Sequence, residues 1–386
     1  MSDFPVQGTC DPRFAAVRAA FVQNAAVFGE TGAALAITLD GIPVVDLWAG
    51  YIDAARTQPW QRESIVNVYS TTKGMTALCA HRLVDQGRLD LDAPVARYWP
   101  EFAASGKADL PVRLLLSHQA GLAAVRQPLM PDALYDWDTM TAALASQSPW
   151  WEPGTKHGYH ALTFGWLVGE VVRRISGKRV GTFFREEIAE PLAIDFHIGL
   201  PEEHEARVAP LIPPPLPTPE QITLFSEILK DPESLMAKAF INPVLPPDAV
   251  NSRAWRAAEI PAANGHTNAR ALARVYGALA CGGRLDGTRV LRAETIEHAL
   301  TQQADGPDAL LPLHTCFALG FMLSTPQEKM GPNPRTFGHG GMGGSMAFAD
   351  PDAHLGFGYV MNEMHLGLWL IDPRPAAIST ALYDCL

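Results

Sequence analysis

The chain has 386 residues, 47% hydrophobic and 18% charged, with 30 Lys and Arg against 41 Asp and Glu for a net charge of -11. That length allows two ordinary domains or one large domain with an insertion, and that composition suits a sizeable core. An acidic protein repels phosphate backbones and anionic lipid surfaces, which argues against nucleic-acid and membrane partners and favours a neutral small molecule.

Five scattered cysteines, Cys10, Cys79, Cys281, Cys316 and Cys385, form no CxxC pair, so neither a disulfide framework nor a zinc signature is expected. No basic, apolar leader is visible, and no uncharged run approaches the ~20 residues of a membrane span. The expectation is a cytoplasmic protein.

In chain order, residues 12–28 place Phe14, Val17, Phe21 and Ala25 at roughly helical spacing. Residues 33–39 and 42–48 read as two strands joined by a tight turn at Asp40-Gly41. A helix is predicted over 70–86, with Met75, Leu78, Cys79 and Leu83 on one face and Gly87 as its stop. A short helical turn follows at 112–116, then a strong helix over 162–175 closed by Ser176-Gly177. Six prolines in 210–219 forbid regular structure there, and residues 220–240 look helical. Thr267-Asn268 can cap a helix running to about Ala280.

Short strands are predicted over 317–323, 344–349 and 356–361, with Asp350-Pro351-Asp352 turning between the last two. A closing helix over 375–386 carries Pro375 in its first turn. Sheet at both ends and a helical middle imply a discontinuous α/β domain, 1–78 with about 190–386, and a mainly helical domain over about 79–190.

The chemistry centres on Tyr69-Ser70-Thr71-Thr72-Lys73, where Val66 and Val68 lead into a helix start. A serine at a helix N-terminus lies beside unpaired N–H groups that favour a developing alkoxide. Lys73, three residues on, rises on the same face about 5.4 Å away. It can stabilise the alkoxide, or take the serine proton if burial lowers its pKa. A capping serine followed by a surface lysine is the bland alternative, and the motif is short.

Its company decides the matter. Tyr69–Lys73, Gly87-Arg-Leu-Asp-Leu-Asp-Ala-Pro-Val95, Val112-Arg-Leu-Leu-Leu-Ser-His-Gln-Ala-Gly-Leu122, Glu152-Pro-Gly-Thr155, Tyr159-His-Ala-Leu-Thr-Phe-Gly165 and Gly338-His-Gly-Gly341 resemble, in order, the class C β-lactamase-related group. That group includes penicillin-recognising enzymes, D-aminopeptidases and family VIII carboxylesterases. The resemblance implies a β-lactamase-like α/β fold: an antiparallel sheet flanked by helices, a helical domain, and an active site between them.

It also implies roles. Ser70 is the acylated nucleophile, Lys73 its partner, and Tyr159 matches the tyrosine of a Tyr-x-Asn motif that shuttles the proton to the leaving group. A tyrosine beside an ammonium is expected to have a lowered pKa. Gly338-His339-Gly340-Gly341-Met342 matches a Lys-Thr-Gly strand, so the amides of Ser70 and Met342 form an oxyanion hole, and the glycines admit substrate to the backbone. No metal or organic cofactor is required.

Two departures point away from β-lactams. Ala161 replaces the asparagine, and His339, largely neutral at pH 7, replaces the lysine that greets a carboxylate. Both resemble the esterase branch, so a small-molecule ester is the expected substrate, against a β-lactamase or D-aminopeptidase activity, acyl transfer, or a non-enzymatic scaffold. Trp150 and Trp151 are candidates for an acyl pocket, His118 for a structural role, His157 and His160 for a weak metal pair, and Ser345 for a near-miss nucleophile elbow. Specificity is expected to depend on the 201–262 loop.

Overall fold

The computed structural model describes residues 4–214, 218 and 222–386. Part of the proline run therefore lies outside the described residues. At its start, Ile212 forms an isolated bridge with Glu363.

Nine strands make one sheet: β1 (Val6–Cys10), β2 (Gly32–Leu39), β3 (Ile42–Gly50), β4 (Ala304–Pro307), β5 (His314–Phe317), β6 (Met322–Leu323), β7 (Phe337–Gly340), β8 (Met346–Asp350) and β9 (Leu355–Met361). Their order is β1-β3-β2-β9-β8-β7-β6-β5-β4, with every neighbour antiparallel. The seam between the chain's two ends is the β2–β9 pair, where Ile37 faces Phe357. β2 is nearly all buried, which explains its unbroken apolar run.

One sheet face carries the Ala269–Ala280 helix, capped by Asn268, whose side chain accepts from the Ala271 amide at 3.0 Å. It lies so close that a Cβ at Gly358 would stand 2.4 Å from the Ala269 carbonyl oxygen. Alternation along β9 sends Tyr359 to the opposite face, where its hydroxyl bonds Glu30 beyond the Ala15–Phe28 helix. That helix packs against the last one, Pro373–Tyr383. The last helix starts two residues earlier than the sequence suggests. Asp372 caps it, accepting from the Arg374 amide at 2.9 Å, and Pro373 occupies the first turn.

The predicted 317–323 strand is split. Ala318 N–H bonds the Phe321 carbonyl at 2.9 Å and turns β5 into β6. The 220–240 segment forms two short helices, Leu224–Lys230 and Leu235–Ile241, the second begun by Ser234 as cap. Among the described residues, 68–195 contain no strand. Their Thr72–Asp85 and Thr163–Ser176 helices pack together. The first is buried almost all round, because its other side meets the sheet layer, and a Cβ at Gly74 would strike the Tyr276 hydroxyl at 2.2 Å. Its N-terminus touches β7, so the sheet and the helical layer meet at Ser70.

Candidate active site

Strand residues Val66–Asn67 pass into a single turn at Tyr69–Thr71 before the helix proper begins at Thr72. Tyr69 holds φ at +41°, a left-handed conformation that costs a non-glycine residue energy and that only surrounding structure can enforce. The enforcement is visible. Ser345 Oγ donates to the Val68 carbonyl at 2.8 Å and lies 3.0 Å from Thr71 Oγ1. Ser345 thus pins the turn that carries Ser70 to the sheet, and it sits at the start of a strand rather than on a strand-to-helix elbow.

The two glycines of the His-Gly-Gly run serve the same closure. A Cβ at Gly341 would sit 2.1 Å from Ser345 Oγ and 2.3 Å from the Val68 oxygen, and one at Gly340 would sit 2.4 Å from the Leu370 oxygen. Backbone must dock on backbone here, a different reason for glycine than the expected approach of substrate.

Lys73 is fully buried, and its Nζ lies 3.2 Å from Ser70 Oγ, 2.7 Å from the Ala161 carbonyl oxygen and 3.0 Å from that of Ala262. Among the described residues no carboxylate pairs with it. Burial alone drives its pKa well below the ordinary lysine value. Two of its partners are carbonyls, which only accept, and the third is a hydroxyl, which can accept from an ammonium or donate to a neutral amine.

Tyr159 lies beside Ser70 on the cavity wall, and its ring centroid is 4.7 Å from Lys73 Nζ. Burial pushes its phenol above the ordinary tyrosine value, against the pull of neighbouring Ser70, and the Asp308 carboxylate adds to the rise. The expected lowering does not occur, because the lysine that would cause it is itself driven toward neutrality. Both shifts favour the uncharged forms, an amine and a phenol, over an ammonium and a phenolate.

Asp308 carries no motif, yet it fixes this tyrosine. Its Oδ1 accepts from the backbone amides of Tyr159 (3.0 Å), Leu310 (2.8 Å) and Leu311 (3.0 Å). Its Oδ2 accepts from Thr315 Oγ1 at 3.0 Å, which in turn meets His157 Nε2 at 2.9 Å. His118 Nδ1 accepts from the His160 amide at 3.1 Å, while His160 uses Nδ1 on Gly158 O and Nε2 on the Leu122 amide. Both members of the suggested metal pair are thus engaged by the protein.

In front of Ser70 and Tyr159 opens a cavity of about 760 Å³, counting space open to solvent. His339, Gly340, Gly341 and Met342 line it, together with Leu224 and Phe240 from the 201–262 segment. Its other wall, 365–372, was not anticipated. Trp151 is not among the lining residues; it packs with Ala123, Ala124 and Leu310, its indole N–H held by the Lys156 carbonyl at 3.0 Å. Among the described residues, neither the Ser70 nor the Met342 amide donates to another protein group, which leaves both N–H groups available to an oxyanion. Behind Met342, Arg374 from the last helix donates to the Gly343 carbonyl and is held by Asp372 at 3.0 Å.

A serine bonded to a buried lysine at the junction of an antiparallel sheet and a helical layer defines a serine hydrolase of the β-lactamase fold. The chain belongs to the beta-lactamase family, whose model matches residues 19–378. It is 41% identical over 377 residues to the esterase/beta-lactamase LipL of Mycobacterium tuberculosis, covering 95% of this chain and 85% of LipL. A crystal structure of a family VIII carboxylesterase superposes with a TM-score of 0.91 at 43% identity, covering 99% of this chain and 100% of that one. A penicillin-binding-protein homologue from Caulobacter crescentus gives 0.90 at 42% identity, with the same coverage.

Proposed function

We propose that this protein is a serine carboxylesterase that works through an acyl-enzyme on Ser70. The observation that carries this is the set of partners around Lys73, two carbonyls and one hydroxyl, which leaves the amine's lone pair for the serine proton. Lys73 takes that proton as Ser70 Oγ bonds to the ester carbonyl carbon, and the oxygen's new charge rests on the amides of Ser70 and Met342. Collapse breaks the bond to the alcohol, which leaves with the phenolic proton of Tyr159. The phenolate then recovers a proton from the Lys73 ammonium, restoring both groups. Water repeats the sequence in reverse and frees the acid.

Esters are favoured over β-lactams by a cavity wall that, among the described residues, offers no lysine or arginine to a carboxylate, and by Ala161, which has no side-chain amide. LipL carries both activities in its name, so the two are best compared directly, with p-nitrophenyl butyrate against nitrocefin. Ser70→Ala is expected to abolish both turnover of the butyrate and the mass increase of the intact protein after brief exposure to it. Normal turnover by Ser70→Ala would overturn the assignment.

A further inference from the structure

Two glycines follow Met342, and a buried arginine stands behind them with no part in the cycle above. Gly341–Gly344 forms the turn between β7 and β8, closed by the Gly344 N–H on the Gly341 carbonyl at 3.0 Å. Gly343 and Gly344 are buried and hold φ at +90° and +129°, where a side chain is strained. A Cβ at Gly344 would stand 2.1 Å from Arg374 Nη2. The turn is therefore shaped to let a guanidinium reach its backbone.

Arg374 is fully buried and held in one orientation. Nε and Nη2 each donate to Asp372 at 3.0 Å, and Nη1 donates to the Glu363 carbonyl at 2.9 Å and lies 3.5 Å from Glu30 Oε1. Nη2 has two hydrogens, and the second goes to the Gly343 carbonyl. The turn does not need that bond for its shape. The Gly343 carbonyl already accepts from the His365 amide at 3.0 Å, and the Gly344 N–H closes the loop.

What the bond adds is an ionised donor at the head of a chain. The Gly343 carbonyl and the Gly344 N–H belong to one peptide group, and the Gly341 carbonyl and the Met342 N–H to another. Arg374 donates into the first group, the first donates into the second, and the second ends on the N–H offered to the oxyanion. Hydrogen bonds in series polarise one another, and a charged donor at one end strengthens the set.

We infer that Arg374 is a positioning residue for the oxyanion hole, which polarises the Met342 N–H through the two peptide groups of the 341–344 turn. The inference rests on the Ser70 acyl-enzyme described above.

The test uses the full-length protein and two ketones that differ in whether they form an oxyanion. Ser70 Oγ bonds to the carbonyl carbon of 1,1,1-trifluoro-2-hexanone, its proton passes to Lys73, and the carbonyl electron pair becomes an oxyanion in the hole; 2-hexanone stays trigonal. Deleting an oxyanion donor outright costs about a hundredfold or more, so removing its polarising charge is expected to cost about tenfold. In Arg374→Gln the trifluoro ketone should bind about tenfold less tightly, and kcat for p-nitrophenyl butyrate per fluorophosphonate-titrated site should fall by a like factor, while the Ki of 2-hexanone holds within about twofold. Arg374→Lys, which keeps a cationic donor, should recover most of the loss. Gly344→Ala, which keeps the charge but pushes the guanidinium off Gly343, should behave like Arg374→Gln. In the wild type the infrared carbonyl stretch of the acyl group on Ser70 should lie below that of the same ester in water.

Trifluoro ketone affinity unchanged in Arg374→Gln or Gly344→Ala overturns the inference, and a wild-type stretch no lower than in water does so whether or not either variant folds. A merely structural arginine would lower the titratable fraction and leave the per-site rate and the ratio of the two ketones alone. If the wild type neither labels at Ser70 nor binds the trifluoro ketone more tightly than 2-hexanone, the acyl-enzyme itself is wrong, a failure distinct from the absence of an Arg374 effect.

Discussion

Among the described residues two lysines are buried, and their sockets differ by one partner. Lys107 reaches three backbone carbonyls, those of Ala104 (2.7 Å), Ala145 (2.9 Å) and Gln147 (2.5 Å). Two of these lie at the C-terminal end of the Trp137–Ser146 helix, where a positive charge is favoured. Three acceptors require three N–H donors, so this socket demands an ammonium, and burial brings its pKa down only to about 8. Lys73 has two carbonyls and a hydroxyl. A hydroxyl can donate as well as accept, so its socket tolerates a neutral amine. On the proposed mechanism it is the third partner, not burial, that separates a structural lysine from one that handles protons.

The comparison can be broken by substitution. Lys73→Arg keeps a positive charge that no practical pH removes, so a loss of about a thousandfold or more in kcat/KM is expected, with no recovery on raising the pH. In the wild type the activity should fall as the pH drops through the depressed Lys73 pKa, because the required form is the unprotonated one. His339, brought by burial to about 3, and His160, to about 4, change charge only in strong acid. A Lys73→Arg enzyme that regains normal turnover at alkaline pH would sink the distinction.

Lys107→Met should have the opposite signature. Three carbonyls lose their donor, and unfolding in denaturant should show a loss of about 2–4 kcal/mol. Turnover per fluorophosphonate-titrated site should be unchanged. Asp308→Asn is the subtlest case: the amide keeps an oxygen for the amides of Tyr159, Leu310 and Leu311 but removes the negative charge. A loss of only about three- to tenfold is expected, with the alkaline limb of the pH profile moving to lower pH, because the carboxylate no longer holds the phenol's pKa up. An unmoved limb would make Asp308 a purely mechanical support.

The parts legible from the sequence were those with a local signal. The apolar spacing of Met75, Leu78, Cys79 and Leu83 reads directly as a helix, and the order of the Ser70, Tyr159 and His339 segments identifies the family. β1 was missed because Val6–Cys10 is an edge strand with exposed residues and a central glycine, and β4 because Ala304–Pro307 contains both Gly and Pro. Trp151 was placed at the cavity because it precedes Tyr159 by eight residues, but the chain turns between them and buries its ring elsewhere. Asp308 and the 365–372 wall gave no signal at all, since a lone aspartate and an aperiodic loop acquire meaning only from what folding brings beside them.

The seam between β2 and β9 has a consequence for biosynthesis. Strand residues 33–39 wait for partners at 355–361, and the peptide that carries Met342 is tied down by Arg374 from the last helix. A ribosome-bound fragment containing Ser70, Lys73 and Tyr159 has therefore made its reactive side chains but not the frame that aligns them. Nascent and prematurely terminated chains should be inert toward esters, and activity should appear only as the final tenth of the protein emerges and docks.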